Sequence, residues 1–381
     1  VITVRAVGDL VLEREDASSL LAPARDLLAG SDLLIGHLEI PHLDSGIDGG
    51  VVQTTDVPAL PGPPAALDAV AEAGFGILTL AGNHVYDFGP DGIRATVGHC
   101  ADRGLRTAGV GENLEEAFTP VIADVDGTRV AVLSVNCVGP RETWATSLKP
   151  GAAYVEVITH YEVRGANPGG PPRVRTYADP VSLRRLIDAV EVAAALADIV
   201  VVALHKGLVH VPAEIADYEI EVSHAVVDAG AHAVIGHHAH IAKGVEVYRG
   251  RPIFHGLGNF ATVTRALSVS SDGSPERVAW ARQRRRLFGF EPDAAMPDYP
   301  FHPESRHTAI AELVIDGGGE VRAALLPCWI DDEARPVPVG SSDLGTRVAD
   351  YFRMITAVAG FSTDLEWDDD RLVVRAGEST P

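Results

Sequence analysis

Short runs of consecutive apolar, largely β-branched residues alternate along this chain with stretches in which apolar residues recur every three to four positions. The runs at residues 1–7, 33–35, 76–80, 118–124, 128–135, 199–204, 233–235 and 252–255 predict strands. Helical spacing over 17–28, 63–72, 90–103, 180–196 and 216–229 predicts the helices between them. Such a rhythm makes an α/β fold, a largely buried sheet flanked by helices. Two stretches break it. Residues 144–176 contain Ala166-Asn167-Pro168-Gly169-Gly170-Pro171-Pro172, and residues 261–305 contain Arg282, Arg284, Arg285 and Arg286 ahead of a proline-rich run. Both read as insertions, and long loops on a rigid scaffold often carry recognition, so substrate choice is expected there. After them, 307–315 and 320–326, separated by Asp316-Gly317-Gly318-Gly319, predict a hairpin.

Composition narrows the function classes. A chain of 381 residues, 46% hydrophobic, can bury a large core, and the expectation is one large domain over 1–340 with a C-terminal annex over 341–381. With 31 Lys+Arg against 53 Asp+Glu the net charge is −22, which disfavours general adhesion to nucleic acid or anionic membrane. The Arg282–286 cluster has no interleaved aromatic residues, and reads as a solvated loop offsetting acidic neighbours rather than a nucleic-acid site. No membrane insertion is expected either, because the longest apolar stretch, 189–204, contains Glu191 and Asp198. Cys100, Cys137 and Cys328 are odd in number and far apart, which fits a reducing compartment. A cytoplasmic location is the expectation, or an extracytoplasmic one if a signal or anchor lay upstream.

Candidate chemistry lies where the apolar runs end. Val234-Ile235-Gly236-His237-His238-Ala239-His240 puts two histidines two apart after a strand, where both can face one cavity. Alone, it reads equally as a solvated turn. Leu80-Ala81-Gly82-Asn83-His84 also follows a strand, as do Leu204-His205-Lys206, Val7-Gly8-Asp9 and Ile35-Gly36-His37-Leu38-Glu39. A lone His205 is more often structural than a ligand. A buried Asp9, by contrast, is costly without a cation. Five strand ends offering carboxylate, amide oxygen and imidazole point to a metal site.

Together these segments, with Asp87-Phe88-Gly89 and Gly256-Leu257-Gly258-Asn259-Phe260, resemble the CapA-type (poly-γ-glutamate biosynthesis, capsule protein A) branch of the calcineurin-like metallophosphoesterase superfamily. They follow the family's order from residue 1 to about 260, and 323–338 resembles its closing segment. The resemblance implies a CapA-like domain folded as a four-layer α/β/β/α sandwich with a dinuclear centre of manganese, iron or zinc. It implies Glu39 as the bridging carboxylate, Asn83, His205 and His238 on one ion, and Asp9 and His240 on the other. His84 is implied as general acid or hydrogen-bond donor, oriented by Asp87. The superfamily's histidine two positions after the first aspartate is absent, since Leu10 and Val11 follow Asp9. His37, where the branch has asparagine, replaces that nitrogen, contacts substrate, or makes a structural hydrogen bond. His42, His237 and His255 are not expected as ligands. The implied activity is hydrolysis of a phosphoester, or of a γ-glutamyl or other amide bond, in a small or oligomeric anionic substrate. The alternative is a non-catalytic or weakly catalytic polyanion-binding accessory protein in polymer assembly or export.

Overall fold

The computed structural model of the chain describes residues 1–14, 16–44, 60–162, 173–265 and 275–377; the Pro/Gly-rich 166–172 and residues 266–274 of the two long insertions lie outside them. Two sheets carry the molecule. The larger runs in the order Thr363–Asp368, Arg371–Ala376, Val321–Ile330, His307–Ile315, Ile2–Leu12, Leu33–Leu38, Phe75–Thr79 and Arg106–Ala108. Asn259–Val263 joins it beside Ile2–Leu12, and Pro336–Pro338 beside Val321–Ile330. The smaller runs Val245–Tyr248, Arg251–Phe254, Ala233–His238, Ile199–Lys206, Thr128–Asn136 and Val121–Val125.

The layers follow from strand alternation. In Ile199–Lys206, Ile199 and Val201 join Val4, Ala6, Ile35, Ile77, Ala233 and Ile235 in a core between the sheets. Val200, Val202 and Leu204 face the opposite way, onto Leu186 and Val190 of helix Pro180–Leu196 and Val222 and Val226 of helix Asp217–Asp228. On the far side of the large sheet, Leu34, Leu38 and Leu78 pack on Leu20, Leu67, Val70 and Ile93 from the N-terminal helices. The result is a four-layer α/β/β/α sandwich.

The same alternation aims the polar residues. His37, Thr79, His205 and His237 share parity with the residues of the inter-sheet core, so they point between the sheets. Lys206, one residue on, points instead at the helices and pairs with Glu219 at 3.3 Å, both side chains fully buried. In Ile2–Leu12 the parity flips: Ile2, Val4 and Ala6 face the second sheet, whereas Leu10 and Leu12 face the helices. The flip coincides with a register shift between Ala6 and Asp9 against the neighbouring strand. Such an irregularity re-aims a side chain, and here it turns Asp9 toward the second sheet. It needs Gly8, because a Cβ at that position would lie 1.9 Å from the Gly258 carbonyl oxygen.

Several expectations are corrected. The helix expected over 17–28 is Ala17–Leu21, a 3₁₀ turn Ala22–Ala24 and Arg25–Ala29, because Pro23 removes a donor. The strands expected to stop with their apolar runs continue to Leu12, Leu38, Lys206 and His238, carrying polar residues into the sheets. The first insertion contains an antiparallel pair, Val157–Glu162 with Arg173–Ala178. The second, expected from residue 261, opens inside strand Asn259–Val263, five buried residues paired with the first strand, and later forms helix Pro275–Phe288. The expected hairpin is His307–Ile315 with Val321–Ile330. Helix Asp343–Val358, capped by Ser342, adds Val348, Phe352 and Ile355 to the inter-sheet core, and the last hairpin extends the large sheet through Ala323 and Val374. No described helix is long and apolar enough to cross a membrane.

Candidate metal centre

Asp9, Glu39, His205 and His238 come from the ends of parallel strands in both sheets, with Asn83 and His84 on the turn after Phe75–Thr79 and His240 on the turn after Ala233–His238. Carboxyl ends of parallel strands are where α/β folds place their ligands. Strand alternation would send His238 toward the helices with its register partner Lys206, but its backbone is left-handed, at φ 87°, and His240 follows at φ 51°. These conformations are uncommon for histidine, and they bring both imidazoles to the carboxylates. Gly236 admits the close packing behind them, since a Cβ there would sit 2.0 Å from the His255 carbonyl oxygen.

Two groups of side chains result. Glu39, His205 and His238 offer ligand atoms all within 4.8 Å of one another, and so do Asp9, Glu39 and His240. Glu39 belongs to both. Asn83 joins the first group through its Oδ1, 2.7 Å from His205 Nε2. In the second, His240 Nε2 lies 3.3 Å from Glu39 and its Nδ1 donates to Asn259 Oδ1 at 2.9 Å. Asn259 in turn donates to the Tyr299 hydroxyl at 3.0 Å.

The donor set fits divalent cations. Asp9 and Glu39 are at most 1% exposed, yet Asp9 Oδ2, Glu39 Oε2, His205 Nδ1 and His238 Nδ1 have no hydrogen-bond partner among the described residues. Buried carboxylates and imidazoles left in this way are costly unless a cation satisfies them. Burial, reinforced by the crowding of the imidazoles, holds His205 well below its ordinary range and His238 at about 3, so both are neutral, the form that binds metal. Burial and the Glu39 charge push Asp9 well up. Burial opposes ionisation of Glu39 too, but His240 outweighs it and holds Glu39 at about 2. His240 rises to about 9 against its own burial, through Glu39 and Asp9.

His84 stands at the rim with its side chain 20% exposed, and its Nδ1 lies 2.8 Å from the buried Asp87 carboxylate. Burial lowers its pKa, but the Asp87 hydrogen bond and charge, with Glu39, outweigh that and raise it. His37 is in neither ligand group but packs against a member of the first. Its Nδ1 is 3.0 Å from Thr79 Oγ1 and its ring sits between His205 and His237, each 4.7 Å away between centroids. The Nδ1 contact is the structural hydrogen bond among the three expected roles, while Nε2 is buried with no hydrogen-bond partner among the described residues. His237 donates from Nε2 to the Val7 carbonyl at 3.1 Å, and His42 and His255 bond to Pro63 and Glu246.

Sequence reasoning passed over Asn259 as a holder of His240, and over His210. The latter is 4% exposed, left-handed at φ 59°, and its backbone N–H donates to the Ala239 carbonyl between the two site histidines. A histidine after Gly207-Leu208-Val209 carries no pattern that marks it.

The chain is similar in sequence to several known proteins. A capsule biosynthesis protein CapA from Bacillus anthracis is 29% identical over 268 residues, 68% of this chain and 59% of that protein. The PGA biosynthesis protein CapA of Bacillus subtilis (strain 168) is 26% identical over 269 residues, 68% of this chain and 63% of its own. A probable polyglutamine synthesis accessory protein of Mycobacterium tuberculosis (strain ATCC 25618 / H37Rv) is 29% identical over 187 residues, 48% and 44%. The chain thus spans less than two thirds of each of these relatives. Residues 3–264 match the family described as bacterial capsule synthesis protein PGA_cap, a span that includes every residue of the two ligand groups and well over half of the chain, and the chain belongs to that family.

Proposed function

We propose that this chain is a metal-dependent hydrolase that cleaves a phosphoester, or a γ-glutamyl or other amide bond, in a small or oligomeric anionic substrate. The observation that supports it is the membership of Glu39 in both ligand groups, with the His84–Asp87 pair at their rim. Asn83, His205 and His238 would hold one cation, Asp9 and His240 a second, and Glu39 both; the mixed oxygen and nitrogen donors suit manganese, iron or zinc. When bound, such cations acidify water and draw charge from an attacked phosphoryl or acyl centre.

The chain's own residues supply the rest. Asp87 accepts from His84 Nδ1, which leaves the Nε2–H to donate to the oxygen or nitrogen that gains charge as the bond breaks. The Asp87 carboxylate favours the protonated imidazole, the form a proton donor needs. Thr79 holds His37, and His37 backs the ring of His205. Asn259 fixes which nitrogen of His240 faces Glu39.

His84→Ala tests the reading: turnover of phosphomonoesters, phosphodiesters or γ-glutamyl amides should fall by about 10²–10⁴ while metal content, measured by elemental analysis, stays at the wild-type level. A second reading is a weakly catalytic or non-catalytic accessory protein that binds a polyanion; the name of the mycobacterial relative supports its accessory part. On that reading wild type shows no turnover with any of these substrates in manganese, iron or zinc, and His84→Ala binds polyanion as wild type does.

A further inference from the structure

Helix Pro180–Leu196 has apolar residues on two sides. Leu186, Val190 and Ala193 face the smaller sheet, whereas Val181, Arg185, Asp188, Val192 and Leu196 recur at helical spacing along another side. On that stripe Val181, Val192 and Leu196 are 69%, 53% and 45% exposed. Beside it lies a groove of about 920 Å³, lined by Val192 and Leu196 of the helix and by Phe118 and Ile122 of the neighbouring segment. The stripe carries complementary charges of its own. Arg185 makes no hydrogen bond or ion pair among the described residues; its Nη1 is buried without a partner, and its guanidinium carbon lies 5.9 Å from the centre of the Tyr154 ring. A buried donor left in this way is costly. One turn on, Asp188 receives both bonds from Arg184 on Oδ1, so its Oδ2 has no partner among the described residues either. In a chain of net charge −22 this helix is neutral, since Arg184 and Arg185 balance Asp188 and Glu191, and self-association along it meets no net repulsion. Among the described residues that line the groove, Glu115 alone falls outside that balance.

We propose that this face binds a second copy of the chain, with the two helices antiparallel about a two-fold axis. Such an interface is self-complementary, each contact being made twice. Setting Arg185 against Asp188 of the second copy also sets Val181 against its Val192, because both pairs are centred between Leu186 and Ile187. The contact is then two Arg–Asp pairs flanked by two Val–Val pairs, about 16 Å long. It is independent of the hydrolase reading, since no residue of either ligand group lies on this helix.

The test is sedimentation velocity over a concentration series. Wild type should reach twice the chain mass at the upper end. Val192→Asp, Arg185→Asp and Asp188→Arg should each raise the dimer dissociation constant by at least about tenfold, because each puts a charge into the apolar contact or two like charges opposite one another. An equimolar mixture of Arg185→Asp and Asp188→Arg should regain the dimer, since each variant then offers the charge that the other lacks. Val192 is exposed, so its variant keeps the test alive should loss of the Tyr154 contact unfold Arg185→Asp. A wild type that stays monomeric throughout, or a dimer that Val192→Asp leaves unchanged, overturns the interface. Failure of the mixture to regain the dimer overturns the two-fold pairing of Arg185 with Asp188.

Discussion

The two ligand groups that share Glu39 are built on opposite electrostatic plans. Around His205 and His238 the imidazoles are neutral because burial and mutual crowding discharge them, and Asn83 adds an uncharged oxygen. Around Asp9, a buried carboxylate raised by burial faces an imidazole raised to about 9 by the carboxylates themselves. The first group is thus ready for a cation as it stands, whereas in the second a cation must displace the proton on His240. Among the described residues the second group is supported by Asn259, the first residue of a strand of the larger sheet, and through it by Tyr299. Shared geometry does not imply equal affinity.

The comparison breaks most severely at Glu39. Because it belongs to both groups, Glu39→Ala should abolish turnover and empty both positions in elemental analysis. Retention of one full equivalent would show that the groups are independent. Next in size, Asp9→Ala and His238→Ala should each remove one ion and leave the other. The Asp9 position should be the first to empty during chelator titration, and the reverse order would refute the contrast drawn from charge. Asn259→Ala should weaken the second position about 10–100-fold without touching the first, since it frees His240 to rotate.

The smallest effect lies outside both groups, at His42. Burial holds this imidazole at about 4, with its Nδ1 on the Pro63 carbonyl. The unfolded chain takes up a proton near pH 6.5 and the folded protein only near 4. Stability is therefore complete above about 6.5 and falls as pH drops toward 4, by at most about 1.4 kcal/mol per pH unit for this one group. Urea melts at pH 7 and 5 should show a smaller difference in His42→Gln than in wild type, and an equal difference would assign the acid sensitivity elsewhere.

Legibility in the sequence followed the physics of each element. The run from Ile199 was readable as a strand because an uninterrupted series of β-branched residues suits a position buried on both faces. Its end was not readable, since His205 and Lys206 look like a loop until Glu219 and the inter-sheet imidazoles are seen to accept them. Residues 261–263, the end of strand Asn259–Val263, fell within the expected insertion because its neighbour in the sheet is the first strand, some 250 residues away in sequence and invisible to local pattern. Pro23 did mark its helix break, but helical spacing on either side masked it. His37 was legible as a residue of interest and not as a role, because the choice between ligand and support depended on which way Thr79 and His237 held its ring.

By itself the sequence determined the alternation of strands and helices, the family, and the kinds of atom available at the strand ends, because apolar period and side-chain chemistry are local properties. Only the tertiary structure decided how those atoms divide into two groups. A register shift at Gly8 turns Asp9 inward, left-handed backbones turn His238 and His240, and a helix from the second insertion brings Arg284 to His210. Each of these depends on contacts between residues far apart in the chain, and it is there that direction, unlike composition, is set.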